Sequence, residues 1–135
     1  MNIILDTHIF IWAFTRPEKL SKETVRLINN PKNKLFLSCA SIWECAFLAE
    51  KKENLFNPNE SLEKVLNFGL IELGVIILQI TPEDAQRHFE IQPVKGHSDL
   101  FDRMILAQAA STGFTLISYD RKFPLYKMVK LMGEG

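Results

Sequence analysis

Four short apolar runs recur along the chain: "NIIL" (residues 2–5), "KLFLS" (34–38), "VIILQI" (75–80) and "FTLIS" (114–118). The runs are near-continuous rather than alternating, as expected of strands buried on both faces. Between them lie stretches that read as helices. "THIFIWAF" (7–14) stops before Pro17. "SKETVRLINN" (21–30) opens on Ser21, and "SIWECAFLAEKK" (41–52) carries lysines in its last turn. "LEKVLNFGLIELG" (62–74) reads as one long helix, capped by Ser61 and closed by Gly74. "PEDAQRHFEI" (82–91) has proline at its first position, and "DLFDRMILAQAASTG" (99–113) ends at a glycine. A last short strand is expected within "MVKLM" (128–132). Strands alternating with helices imply βαβ crossovers, hence an α/β fold with a mostly parallel sheet covered on both faces.

At 135 residues, with no repeat, linker or low-complexity segment, the chain reads as a single domain, 1–135. Sixteen basic and sixteen acidic residues leave no net charge. Any nucleic-acid partner must therefore be met by a local patch or a bound cation, not by a bulk basic field. Cys39 and Cys45 do not make a disulfide framework, and no Cys or His pair has zinc-site spacing. The N-terminus has no basic leader. The longest apolar run, "FGLIELGVIILQI" (68–80), is too short and interrupted to span a bilayer. A cytoplasmic protein without membrane contact is expected.

The acids fall in a pattern. Asp6 follows the first strand, and Asp120 lies two residues after "FTLIS". Glu44 stands in the first turn of the helix expected after "KLFLS". In a parallel sheet the carboxyl ends of the strands share one edge, where ligands bind, so these three converge. Asp102 joins them if its helix begins on the same side. It also heads the helix stripe Ile105, Leu106, Ala109, an unfavourable place for an unpaired carboxylate. Each acid has a plain structural use: Asp6 and Asp99 as helix caps, Glu44 in a Ser41-x-x-Glu44 capping box, Asp120 in a turn, and Asp99 with Arg103 as an i, i+4 pair. Collected at one edge they repel, and a hard divalent cation with oxygen ligands relieves that repulsion. A haloacid-dehalogenase-type phosphotransferase would need an acid at position 8, which is His8. A phosphorelay receiver would need an acidic pair at the first strand end, where one acid stands, and no glycine-rich phosphate loop is present.

The blocks "LDTHIFIW" (5–12), "SIWE" (41–44), "HSDLFDRMILAQA" (97–109) and "LISYDRKF" (116–123), in that order and spacing, resemble PIN-domain nucleases, and more narrowly the VapC-type toxins of toxin–antitoxin pairs. The resemblance implies a three-layer α/β/α sandwich and hydrolysis of phosphodiesters in single-stranded RNA with Mg²⁺ or Mn²⁺. It implies Asp6 and Asp102 as the main metal ligands, with Glu44 and Asp120 completing a catalytic cluster. Asp99 supports it, followed by Leu100 where many relatives carry proline. Thr7 and Ser118 lie beside the acids and are expected to hydrogen-bond them or a water. Arg103, Arg121, Lys122 and Lys127 are expected to guide the RNA backbone. His97 reads as a loop residue, and Trp12 and Trp43 as core or interface. Two other readings are a binding module that keeps the fold without catalysis, and a nuclease acting on DNA.

The toxin resemblance also implies a small antitoxin, and a homodimer is expected, whose interface is the alternative cover for the apolar surface described next. "THIFIWAF" is apolar on nearly every face, which suggests, with Phe56 and its Asn-rich loop, an exposed groove able to receive a partner helix.

Overall fold

The structure is a computed structural model that describes residues 1–51, 61–96 and 99–132; Phe56 and His97 lie outside them. Five parallel strands form one sheet: β1 (Asn2–Leu5), β2 (Lys34–Ser38), β3 (Ile76–Leu78), β4 (Thr115–Ile117) and β5 (Lys130–Met132), in the order β3-β2-β1-β4-β5. Leu5 pairs with Ile117, Ser38 with Leu78 and Ile117 with Met132, so the carboxyl ends of the strands gather on one edge. The chain builds outward from β1 to β3, then returns to the other side of β1. The switch in direction opens a crevice at the carboxyl ends of β1 and β4.

The helices cover both faces, as a two-sided apolar sheet requires. One layer packs Ile3, Leu5, Leu35, Leu37 and Ile117 under α1 (Thr7–Thr15), α3 (Cys39–Glu50) and α4 (Leu62–Asn67), with α2 (Lys22–Asn29) alongside. The other packs Ile4 and Leu116 against α6 (Leu100–Thr112), with Ile91 after α5 (Pro82–Glu90). Neighbours such as Ile4 and Leu5 point to opposite layers, as the period of a strand dictates. This is the α/β/α sandwich that the sequence pattern and the resemblance led us to expect.

Three local features differ from expectation. The third helix begins at Cys39, not Ser41, because Ser38 caps it: its Oγ accepts from the Ala40 N–H at 3.0 Å. Ser41 and Glu44 therefore lie inside the helix, and the capping box between them does not form. The fourth helix is α only to Asn67 and widens into a π turn, Phe68–Leu73, before Gly74 closes it with φ 65°. Gly69 explains the site of that turn. A Cβ there would stand 2.6 Å from Phe10 Cε1, so the missing side chain lets this segment press onto α1. Finally, α1 has no exposed apolar surplus. Ile9, Phe10 and Ile11 are fully buried, and Trp12, Ala13 and Phe14 are half-buried. The helix is apolar all round because it is enclosed between the sheet, α3 and the π turn.

Candidate active site

The acids reach the crevice through ordinary local structure. Asp6 ends β1 and caps α1, its Oδ1 accepting from the Thr7 N–H at 2.8 Å. The Leu5–Ile117 register sets Ser118 beside it, and the Ser118 hydroxyl donates to Asp6 Oδ2 at 2.7 Å. Asp99 caps α6, accepting from the Asp102 N–H at 2.9 Å. Asp120 makes an Asx turn, accepting from the Lys122 N–H at 2.8 Å, while its own N–H donates to Ser118 Oγ. Each cap and turn satisfies a backbone donor and also aims a carboxylate at the same place.

A cavity of about 220 Å³ opens there, lined by Asp6, His8, Ile9, Trp12, Glu44, Asp99, Asp102, Tyr119 and Asp120. All five acids singled out in the sequence converge on it. Glu44, Asp99 and Asp102 form the tightest group, each offering an oxygen within 4.8 Å of the others. A larger cavity of about 790 Å³, lined in part by Ser21, Glu23 and Lys127, holds a single carboxylate and gathers no comparable chemistry among the described residues.

Electrostatics mark the small cavity as unusual. Burial, then the charges of Asp6, Asp99, Glu44 and Asp120, pushes the Asp102 carboxyl up to about 8. Burial is the largest influence on Asp6 and Glu44 as well, and both are raised. Ser118 and His8 pull Asp6 part of the way back. Glu44 is 6 % exposed, and its Oε1 has no hydrogen-bond partner among the described residues. A buried carboxylate oxygen without a donor is costly unless something outside the chain meets it. All-oxygen ligands and crowded negative charge fit a hard divalent cation.

The flanking residues divide. Thr7 is fully buried and its hydroxyl donates to Ser41 Oγ at 3.0 Å, tying α1 to α3 behind the acids. Arg103, Arg121 and Lys122 do not line the cavity. Arg103 makes no ion pair with Asp99, since the ion pair formed among the described residues joins Arg26 to Glu23. Instead the Arg103 charge, after burial, depresses His88 on α5. Lys122 Nζ donates to the Gly96 carbonyl at 2.6 Å.

Sequence reasoning passed over three contributors. His8 and Trp12 stand along α1 from Asp6, on the cavity side, and the buried Trp12 Nε1 has no acceptor among the described residues. Their i, i+4 spacing was the available signal. Gln108 is fully buried on α6. It accepts from the Ser38 hydroxyl and donates to the Gln79 carbonyl at 3.2 Å, clamping the ends of β2 and β3.

A model of the PIN domain matches residues 3–128. The chain belongs to the PIN domain family. Solved structures agree on the fold of this PIN domain. It is similar to a chain of VapBC2 from Rickettsia felis bound to a DNA fragment from their promoter, with TM-score 0.74, 20 % identity and 98 % of each chain covered. VapBC-1 from nontypeable Haemophilus influenzae gives 0.71 at 18 %, again over 98 % of each chain. VapC20 from Mycobacterium tuberculosis, a Sarcin-Ricin loop cleaving toxin, gives 0.60 at 15 %, covering 91 % of this chain and 93 % of that one. No curated protein matches the chain.

Proposed function

We propose that this PIN domain is a divalent-cation-dependent endoribonuclease that hydrolyses single-stranded RNA, and that it acts in the cytoplasm as the toxin of a toxin–antitoxin pair. The observation that carries the reading is the unpartnered Glu44 Oε1 beside Asp99 and Asp102 in an otherwise acid-lined cavity. Glu44, Asp99 and Asp102 would hold Mg²⁺ or Mn²⁺, with Asp6 and Asp120 completing the shell. The ion, when bound, neutralises charge building on a phosphate and acidifies a coordinated water. The chain's own residues do the positioning. Thr7 and Ser118 hold Asp6 by both carboxylate oxygens, so it cannot turn away from the crevice. Ser118 also takes the Asp120 N–H, linking the two acids through one hydroxyl. Glu44 Oε1, which has no partner among the described residues, is the oxygen this residue would offer the ion.

The RNA assignment is supported by the Sarcin-Ricin loop cleavage named for VapC20, and the antitoxin by the VapBC pairs among the structural relatives. We propose a homodimer as well, as an expectation to be checked by sedimentation. The test is incubation of purified protein with single-stranded RNA and DNA in Mg²⁺, Mn²⁺ or EDTA. Cleavage of RNA that needs the metal and falls by about 10²-fold in Glu44→Gln is expected, because a neutral amide holds a hard cation less well than a carboxylate. Preference for DNA would move the substrate class. Binding without cleavage in any metal would make the chain a binding module.

A further inference from the structure

The turn that carries Asp120 is anchored to a helix that lends no residue to the acid cavity. Ser118 still belongs to the sheet edge, its N–H donating to the Met132 carbonyl. Beyond it the backbone leaves the sheet. The next side chain, Tyr119, lines the cavity and packs against Trp12, with ring centroids 6.2 Å apart. Its hydroxyl crosses to the start of α2. There it accepts from the Ser21 N–H at 2.9 Å and donates to Oγ1 of the fully buried Thr24 at 2.8 Å. Ser21 Oγ in turn caps α2, accepting from the Thr24 N–H at 3.1 Å.

Helix α5 shows how such a start closes with local residues alone. Thr81 caps it, and Asp84, three residues on, accepts from the Thr81 N–H at 2.9 Å. In α2 the residue three on from the cap is Thr24, and the acceptor for the Ser21 N–H is Tyr119, 98 residues away along the chain. The cap of α2 and the course of the loop after β4 are therefore set together. Asp120 has use for that anchor. Its own bonds, from its N–H to Ser118 Oγ and from the Lys122 N–H to Oδ1, reach only two residues either way. They shape the turn without fixing where it sits.

We propose that Tyr119 is a positioning residue for the cation site: tethered to Ser21 and Thr24, it holds the turn so that the Asp120 carboxylate stays at the cavity. The proposal rests on the metal-dependent reading above and adds to it a residue that acts through Asp120, not on the ion. It also gives α2 a part in the site, although none of its residues lines the cavity.

The test is Mn²⁺ binding by the purified protein, read from the electron paramagnetic resonance signal of the free ion. Tyr119→Phe keeps the ring and removes the tether. It should weaken Mn²⁺ binding by about 10-fold, the low end of what groups that orient metal ligands contribute. In an Asp120→Asn background the same change should cost nothing further, because the ligand it positions is already lost. Ser61→Ala removes the cap of α4, another helix that lends nothing to the cavity, and controls for lost stability. It should bind Mn²⁺ like wild type. If Tyr119→Phe does not fold, Thr24→Val takes the acceptor from the α2 side and is judged by the same comparison. Undiminished Mn²⁺ binding without the tether overturns the proposal. A loss of equal size with and without the Asp120 carboxylate, or an equal loss in Ser61→Ala, also overturns it and leaves Tyr119 a residue of the fold alone. The two readings fail separately. A wild-type chain that binds no Mn²⁺ removes the cation site and the tether with it, whereas equal binding by wild type and Tyr119→Phe removes the tether alone.

Discussion

Asp102 is the residue in which structure and chemistry are most tightly linked. Its carboxyl ordinarily titrates near 3.8 and in the fold does so at about 8. Between those values the folded chain keeps a proton that the unfolded chain has released. Stability therefore falls as pH rises from about 4 through about 8, and levels off above. Raised Asp6 and Glu44 act in the same direction. Asp102→Asn should raise the melting temperature of metal-free protein, by more at pH 8 than at pH 5. Taking the difference between the two proteins at each pH cancels the other titrating groups. Millimolar Mn²⁺ should raise the wild-type melting temperature through preferential binding to the fold, and Asp102→Asn should lose most of that gain. Asp99→Asn separates charge from capping, because asparagine caps a helix as well as aspartate does. Without metal it should melt somewhat above wild type at pH 8, because one of the charges that raise Asp102 and Glu44 is gone, and it should lose part of the Mn²⁺ gain. Melting curves indifferent to both pH and Mn²⁺ would remove the electrostatic account. Asp6, Asp99 and Asp120 were legible in the sequence because each is a good cap or turn residue, and such a residue has few places to point. Glu44 was legible as an acid but not in its setting. Ser38 and Ser41 are equally good helix starters on paper, and what separates them is tertiary: Ser38 bonds to Gln108 across the sheet edge, and Ser41 takes the Thr7 hydroxyl.

At the scale of the element, the strands were the most readable part. "KLFLS" is β2 to the residue, since a two-sided apolar run bounded by Asn33 and a helix cap leaves little freedom. The helix after Ser61 was less readable. Gly69 sits in a pattern that supports an unbroken helix, and its closeness to Phe10, far earlier in the chain, is a tertiary fact that no local signal records. That closeness gives a prediction whose sign discriminates. In an exposed helix interior Gly→Ala stabilises by about 1 kcal/mol. Here the new methyl meets the fully buried Phe10 ring, which is packed against Phe68, so Gly69→Ala should destabilise by about 1–3 kcal/mol. Urea unfolding of the two proteins measures it, and a stabilised variant would show that the π turn does not press on α1. The same enclosure accounts for α1. Its all-round apolar surface suggested an open groove, but a helix held between a sheet and two neighbours needs apolar residues on every side.

For the whole molecule, the parallel order β3-β2-β1-β4-β5 makes one edge both the place where helices start and the place where acids gather. No helix among the described residues is long and apolar enough to cross a membrane. The molecule's exposed apolar residues include Ile71 at 76 % and Phe89 at 80 %. Under the proposed toxin role the damage is done through the crevice, and that can be separated from foldedness. Most substitutions that silence a protein also loosen it, so a lost phenotype is usually ambiguous. Asp102→Asn avoids the ambiguity because it removes a crowded charge and should leave the metal-free fold more stable than wild type. Expression of the wild-type chain alone is expected to slow growth, and Asp102→Asn is expected to abolish that effect while accumulating to an equal or higher level. Co-expression of a short neighbouring gene product that binds the chain directly should relieve the wild-type effect. Growth curves paired with immunoblots of the soluble fraction measure both. If Asp102→Asn slows growth as much as wild type does at matched level, the harm does not come from the acid crevice, and the toxin role falls while the PIN fold stands.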